Sequence, residues 1–298
     1  MDIFNQLYNF ARFLLNPDQL KIFTTRKNLA EYLHELRSNG KNIGFVPTLG
    51  ALHQGHISLL TQAQQYSDIT VFSIFVNPTQ FNDPKDLEKY PRPIASDIEK
   101  LEQAGCDILF NPEVSEMYAG NEQWHLDIGE LENLLEGKFR PGHYQGVTQV
   151  VFKLFDIVKP DLAFFGQKDY QQVLVIQRMV DLLHIPVKLV MCPTLRETDG
   201  LAMSSRNIHL SADDRQHALI LSKTLNWLKL NFDRSKISSL KQKCENMIKG
   251  EPGVQLEYFE IVNGSNLHKA GQNTQQIVAL VAARVGNTRL IDNMIISD

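Results

Sequence analysis

The segment ITVFSIFV, Ile69 to Val76, limits the possible folds more than any other stretch of the chain. It carries no charge, is almost wholly apolar, and is bounded by Asn77-Pro78. A strand with one wet face alternates apolar and polar residues, whereas one this uniform is buried on both faces. Its neighbours repeat the theme. Lys27 to Arg37 has helical spacing and ends at Gly40; Ile43 to Pro47 reads as a short strand entering a turn; a helix begins near Gly55 or His56 and runs through Leu59, Leu60 and Ala63. Further on, helices are expected at Ser96 to Ala104, Thr148 to Val158 and Tyr170 to Leu183, with strands at Asp107 to Phe110, Leu162 to Phe165 and Val187 to Met191. Strands alternating with helices predict an α/β fold, a parallel sheet with helices on both faces.

The rhythm changes after about Leu195. Two helical stretches, Ala212 to Phe232 and Leu240 to Lys249, precede strands at Leu256 to Val262, Gln276 to Val285 and Thr288 to Asp292. Strands without intervening helices predict antiparallel pairing in a smaller α+β domain. The expected organisation is a helical extension at 1–18, a large domain at 19–195 and a smaller one at 196–298. In the extension, Ile3, Phe4, Leu7, Tyr8, Ala11, Leu14 and Leu15 recur at helical spacing and Pro17 stops the pattern. With Arg12 its only cation, this segment suits docking on protein rather than on a membrane.

Composition narrows the function classes. With 298 residues, 43% hydrophobic and 21% charged, the chain is expected to fold throughout. A net charge of -4 offers no general field for nucleic acid, so phosphate chemistry must rest on a few placed cations. Cys106, Cys192 and Cys244 lie far apart without a CxxC pair, which predicts neither disulfide nor zinc and fits a reducing cytoplasm. The N-terminus reads as neither an export signal nor a transmembrane segment.

Three loops carry candidate chemistry. PTLGALHQGH, Pro47 to His56, joins the first predicted parallel strand to its helix. Strand carboxyl ends line the crevice of open α/β sheets, and a helix N-terminus there offers N–H groups to phosphate. His53 and His56, with Gly55 between them, either donate to phosphoryl oxygens or cap the helix. In FFGQKDYQQ, Phe164 to Gln172, Lys168 supplies a point charge for a triphosphate, while Asp169 caps a helix or holds a ribose hydroxyl. Third, GLAMSSRN, Gly200 to Asn207, sets two hydroxyls and Arg206 at the proposed domain junction, where such a loop can close over phosphates.

An HxGH turn early and a Met-Ser-Ser-Arg loop late resemble the paired HIGH and KMSKS signatures of nucleotidyltransferases. More specifically, PTLGALHQGH, SIFVNPTQF, DLEKYPR, RPGHYQGV, FFGQKDYQQ, DGLAMSSRN and RLIDN resemble, in order, segments of the pantothenate synthetase family. The resemblance runs from about residue 20 to the C-terminus. It implies a Rossmann-like domain, a lid-like C-terminal domain, a homodimer, and condensation of pantoate with β-alanine through a pantoyl adenylate, using ATP with Mg2+. It assigns ATP to Pro47, Leu49, Gly50, His53, Gly55, His56, Gly166, Lys168, Asp169, Leu195 and Met203 to Arg206, including Ser204 and Ser205. His53, His56, Lys168 and Arg206 are the expected catalytic residues. Gln80 and Gln172 match the glutamines that hold pantoate, amides suiting a carboxylate and a hydroxyl together; Leu49, Asn77 and Arg140 serve the same pocket. His56 is read chiefly as a donor, with the protonated form allowed, because a carboxylate nucleophile needs no base.

The sequence departs from the family pattern at four points. Leu49 stands for methionine, Thr79 for methionine, and Gln167 for glutamate before the lysine. Where relatives carry two adjacent acids this chain has Ser96-Asp97, leaving Asp97 as the candidate magnesium contact or a solvated helix-face acid. The competing enzyme reading is another nucleotidyltransferase, such as a cytidylyltransferase, which Gln80 and Gln172 argue against; a silent binding protein is disfavoured by the full set of polar site residues.

Overall fold

The computed structural model describes residues 20–118, 120 and 122–297, so the helix expected at 1–18 lies outside the described residues. Strands β1 (Lys21–Phe23), β2 (Ile43–Thr48), β3 (Ile69–Ile74), β4 (Ile108–Phe110), β5 (Leu162–Gly166) and β6 (Lys188–Cys192) form one parallel sheet in the order β1-β4-β3-β2-β5-β6. The period-2 geometry of a strand sends successive side chains to opposite faces, and both faces are dry. Phe45, Val71, Ile108, Phe110, Ala163 and Phe165 pack on one side, against α1 (Arg26–Ser38), α7 (His143–Val158) and α8 (Tyr170–Leu182). Val46, Phe72, Leu109 and Phe164 pack on the other, with Leu59, Leu60 and Ala63 of α2 (Gln54–Tyr66) and Leu101 of α4 (Ile94–Gln103). That two-sided burial is the physical reason for the uncharged run at Ile69.

Chain order along the sheet reverses beside β2. From β2 the path steps outward through β3 to β4, then returns to the other side of β2 as β5 and β6. Such a switch point opens a crevice at the strand carboxyl ends, and here it lies between the turns that follow β2 and β5. Two short helices, α3 (Pro84–Lys89) and α6 (Leu135–Phe139), line the way to it, and a third, α5 (Val114–Met117), follows β4.

Strands β7 (Val254–Asn263), β8 (Ile277–Val285) and β9 (Thr288–Ser297) form a separate antiparallel sheet in that order. Helices α9 (Ala212–Leu230) and α10 (Ile237–Lys249) cover one face through Leu221, Leu225, Leu228 and Cys244, against Ile277, Ala279, Val281 and Ala283 of the central strand. The alternate residues of β8, Val278 and Leu280, meet Tyr170, Leu174 and Leu134 of the parallel-sheet part. An ion pair completes this contact: Arg289 of β9 reaches both oxygens of Glu136 at 2.7 Å, and the Tyr258 hydroxyl donates to the same carboxylate at 2.9 Å. Among the described residues no helix is long and apolar enough to cross a membrane.

Observed boundaries mostly lie within a few residues of those expected. The largest departures are of five residues: β9 continues to Ser297 where Asp292 was expected, and α7 begins at His143 in place of Thr148. Gly142 at φ +80 and Gly146 lower the helical signal there. Gly146 is required by packing, since a Cβ at that position would overlap the backbone of Thr79 and Gln80.

Candidate functional site

A cavity of about 250 Å3 lies over the switch point and opens into a wider cleft of about 690 Å3 between the two sheets. Its floor is the β2–α2 turn. Gly50 (φ +84) and Ala51 (φ +52) both adopt the left-handed region, and glycine is required at 50 because a Cβ would come within 2.9 Å of Ile74 and 3.2 Å of Asp97. The turn is clamped by α4. Asp97, 1% exposed, accepts from the backbone N–H of Ala51 (2.7 Å) and Leu52 (2.8 Å), while Lys100 donates to the Leu52 carbonyl (2.8 Å). This corrects the solvated-acid reading of Asp97: both its oxygens hold backbone at 1% exposure, and it does not line the cavity.

His53 is the N-cap of α2, as the capping reading expected, and the cap leaves its Nε2 uncommitted. Its Nδ1 accepts from Gly55 N–H (3.1 Å), and Nδ1 of His56 accepts from His53 N–H (3.3 Å), a reciprocal capping box. A nitrogen that accepts carries no proton, so both rings are neutral with hydrogen on Nε2. The rings stack at 4.0 Å. Burial, and after it the Lys168 charge, holds His53 down to about 4; burial, then His53 and Lys168, holds His56 well below the usual histidine range. Burial and the accepting Nδ1 thereby favour the neutral donor form of His56 over the protonated one.

The other two loops converge on the same cavity. Gly166, which ends β5, lines it with Lys168 and Asp169, and so do Leu195, Met203, Ser204, Ser205 and Arg206. Their approach is intimate: Met203 Cβ lies 3.4 Å from where a side chain on Gly55 would begin. Asp169 makes no side-chain cap to α8, which removes the capping reading and leaves its carboxylate 3.8 Å from Lys168 Nζ. Arg206 pairs with Asp86 of α3 at 3.3 Å, and the Tyr90 hydroxyl bonds Ser205. The loop is braced from behind by Asn207, which donates to Glu197 (2.8 Å) and the Ala202 carbonyl (3.1 Å).

Beyond the histidines lies a second polar group. Gln80, Gln172, Arg140, Pro47 and Leu49 line the cavity, while Asn77 and Gly50 do not. Asn77 is fully buried, and its amide is engaged by protein: Nδ2 donates to Gln80 Oε1 (3.1 Å) and Gly146 O (3.1 Å), and Oδ1 accepts from Tyr118 (2.7 Å) and Thr79 (3.1 Å). It therefore stands behind the cavity lining. It orients Gln80, whose Nε2 has no hydrogen-bond partner among the described residues, and Thr79 joins that network through its hydroxyl.

His143 was missed by sequence reasoning, although it sits inside the RPGHYQGV stretch. Its Nδ1–H donates to Gln80 O (2.8 Å), and its Nε2 accepts from Arg140 (3.1 Å). Burial, with the Arg140 charge, holds it down to about 4. Arg140 is itself lowered, by burial and then by the nearby Arg206. Cations that raise one another's cost around a half-enclosed space, beside neutral imidazole donors, suit a multiply charged anion. Among the described residues no three carboxylates, imidazoles or thiols gather to hold a metal ion.

Comparison with known proteins agrees with this geometry. Residues 21–295 match the family model described as Pantoate-beta-alanine ligase. The chain is 44% identical over 277 residues to the pantothenate synthetase of Bacteroides thetaiotaomicron, covering 92% of this chain and 98% of that protein. It is 43% identical over 279 residues to that of Thermodesulfovibrio yellowstonii, covering 93% and 100%. Among solved structures, pantothenate synthetase from Thermus thermophilus superimposes with a TM-score of 0.88 at 38% identity, covering 93% of this chain and 100% of that one. The Francisella tularensis pantoate-beta-alanine ligase, complexed with Beta-gamma ATP and Beta-alanine, gives 0.77 at 37% identity, covering 93% and 98%.

Proposed function

The chain belongs to the pantoate–β-alanine ligase family, and from that premise we propose that it condenses pantoate with β-alanine in two steps, through a pantoyl adenylate. The observation that carries this reading is the meeting of the turn at Leu49 to His56, the turn at Gly166 to Asp169 and the loop at Met203 to Arg206 in one cavity. In the first step a pantoate carboxylate oxygen attacks the α-phosphorus of ATP, and the bond to pyrophosphate breaks. In the second, the amine of β-alanine attacks the acyl carbon, the bond to AMP breaks, and the amine loses a proton to solvent.

Two anions must meet in the first step, so the protein's task is to offset their repulsion. Lys168 and Arg206 supply full charges. The Nε2–H groups of His53 and His56 supply neutral donors, held by the capping box at fixed positions and needing no reorganisation as charge moves to the phosphoryl oxygens. Arg206 is held at rest by Asp86 and exchanges that partner for the triphosphate. Ser204 and Ser205 add hydroxyls along the same loop. Gln80 and Gln172 take pantoate, the free Nε2 of Gln80 donating to its carboxylate, with Leu49 as an apolar wall and Arg140 behind. Leu195 and Met203 cover the nucleotide base side. The acyl adenylate hydrolyses easily, so a cavity walled by both sheets protects it.

Magnesium is assigned to the substrate, as counter-ion of the triphosphate. No residue of this chain is given to it, since Asp97 is already engaged and no carboxylate cluster is present among the described residues. The divisions 19–195 and 196–298 are taken as the catalytic domain and its cover, in a cytoplasmic homodimer. Purified protein incubated with pantoate, β-alanine, ATP and Mg2+ is expected to form pantothenate and AMP in equal amounts by mass spectrometry. Absence of pantothenate, or its formation without ATP, refutes the proposal.

A further inference from the structure

The turn that carries Lys168 is fixed from outside its own sheet. Gln167 to Asp169 form a single 3-10 turn between β5 and α8, too short to hold itself rigidly. Asn293 of β9 reaches across from the antiparallel sheet, and its Nδ2 donates one hydrogen to the Gln167 carbonyl and the other to the Lys168 carbonyl, each at 2.8 Å. Its Oδ1 accepts from Gln167 Nε2 at 3.1 Å. Both donors and the acceptor oxygen of the Asn293 amide are therefore used, at 2% exposure, and its orientation is unambiguous because two carbonyls demand the NH2 side.

The base of Asn293 is itself tied down. Its N–H donates to Asp292 Oδ1 (2.8 Å), and Asp292 takes a two-pronged contact from Arg196 at 2.7 and 3.0 Å. Arg196 lies just after β6, at the start of the stretch leading to Met203, and also donates to the Gly200 carbonyl at 3.2 Å. One short piece of β9 thus holds both the lysine turn and the root of the loop that carries Arg206.

We propose that Asn293 is a positioning residue for this reaction: by clamping the two carbonyls of Gln167 and Lys168, it lets the antiparallel sheet set where the Lys168 ammonium stands. Lysine is flexible and its charge is compact, so the place of its backbone decides how much of that charge reaches the phosphoryl group. Displacement by about 1 Å is enough to cost about 100-fold in a step that depends on alignment. Gln167, which replaces the glutamate of the family pattern, is recruited into the same clamp: its amide points to Asn293 and not to the nucleotide.

The inference rests on the proposed role of Lys168, and a double-mutant cycle separates the two. Asn293→Leu, similar in volume but without donors, is compared with wild type and then with the same change made in Lys168→Ala. We expect kcat to fall about 10-fold or more in the wild-type background, with KM for pantoate changed less than about 2-fold, and almost no further loss once Lys168 is absent. ATP affinity by titration calorimetry follows the same cycle, which covers the case of undetectable turnover in Lys168→Ala. If Asn293→Leu does not fold, Asn293→Ser serves in its place, keeping polarity but losing one of the two donors. Equal losses in the two backgrounds overturn the proposal and leave Asn293 a merely structural residue. Wild-type protein that forms no pantothenate overturns the reading of function instead, and the binding cycle then still decides for or against the clamp.

Discussion

Replacing Asp97 by Asn tests how the floor of the site is built. In the native protein two backbone N–H groups donate to this carboxylate at 2.7 and 2.8 Å, in a place 1% exposed to solvent. Hydrogen bonds to a charged group contribute about 1.5–3 kcal/mol each, and a buried donor left without a partner costs about 1–3 kcal/mol. Asparagine keeps one acceptor and turns an NH2 toward the other N–H, so one bond is lost and two donors face each other. The expected destabilisation is about 3 kcal/mol, read as a lower midpoint in urea with an unchanged slope. The consequence reaches catalysis because Ala51, at φ +52, carries steric strain that Asp97 offsets. Once released, the turn shifts the donors of His53 and His56, and kcat falls by about 10–100-fold. The magnesium concentration needed for half-maximal rate stays as in wild type. A variant of native stability whose activity returns on adding magnesium refutes this reasoning and restores Asp97 as a metal contact.

Two further outcomes follow from buried charge. His143 titrates at about 4 when folded against 6.5 when unfolded, so as pH falls below 6.5 the unfolded chain takes the proton first; stability is complete above 6.5 and drains until about 4. Unfolding free energies measured across that window should show wild type losing on the order of 3 kcal/mol more than His143→Gln, and parallel curves contradict the neutral, Nδ1-protonated assignment. Glu136→Gln removes the carboxylate that burial pushes up and Arg289 more than pulls back below its usual range. It should cost about 3 kcal/mol in chemical denaturation, with Arg289 left to Glu257 alone at 2.8 Å, and a loss under about 1 kcal/mol contradicts a role for the pair in joining the sheets.

What was legible in the sequence, and what was not, divides by the range of the forces involved. Strands β2, β3 and β5 announce themselves because a strand dry on both faces must be apolar at nearly every position. β1 is three residues long, and only its pairing with β4 makes Lys21–Phe23 a strand. The start of α7 is hidden by Gly142 and Gly146, residues chosen for a turn and a close approach, not for propensity. At the site, the meeting of the loops after β2, after β5 and around Ser204 is foreseeable, since strand ends at a switch point gather whatever follows them. The partners of single polar groups are not. A buried aspartate and a solvated one look alike in one sequence, which is why the backbone partners of Asp97 emerge only in the folded chain. The same holds for Asn77, whose amide serves Gln80, and for His143, whose neighbours Arg140 and Gln80 meet it only after folding. The protonation of His53 and His56 depends on which nitrogen faces the backbone, a fact of geometry alone.

In the proposed reaction three separated stretches of chain act on one triphosphate to make an acyl adenylate. Exchange of labelled pyrophosphate into ATP measures that step by itself. Exchange is expected to require pantoate, to proceed without β-alanine, and to disappear in a folded Lys168→Ala variant. Exchange that ignores pantoate, runs equally well with CTP, or survives the loss of Lys168 contradicts the proposed step.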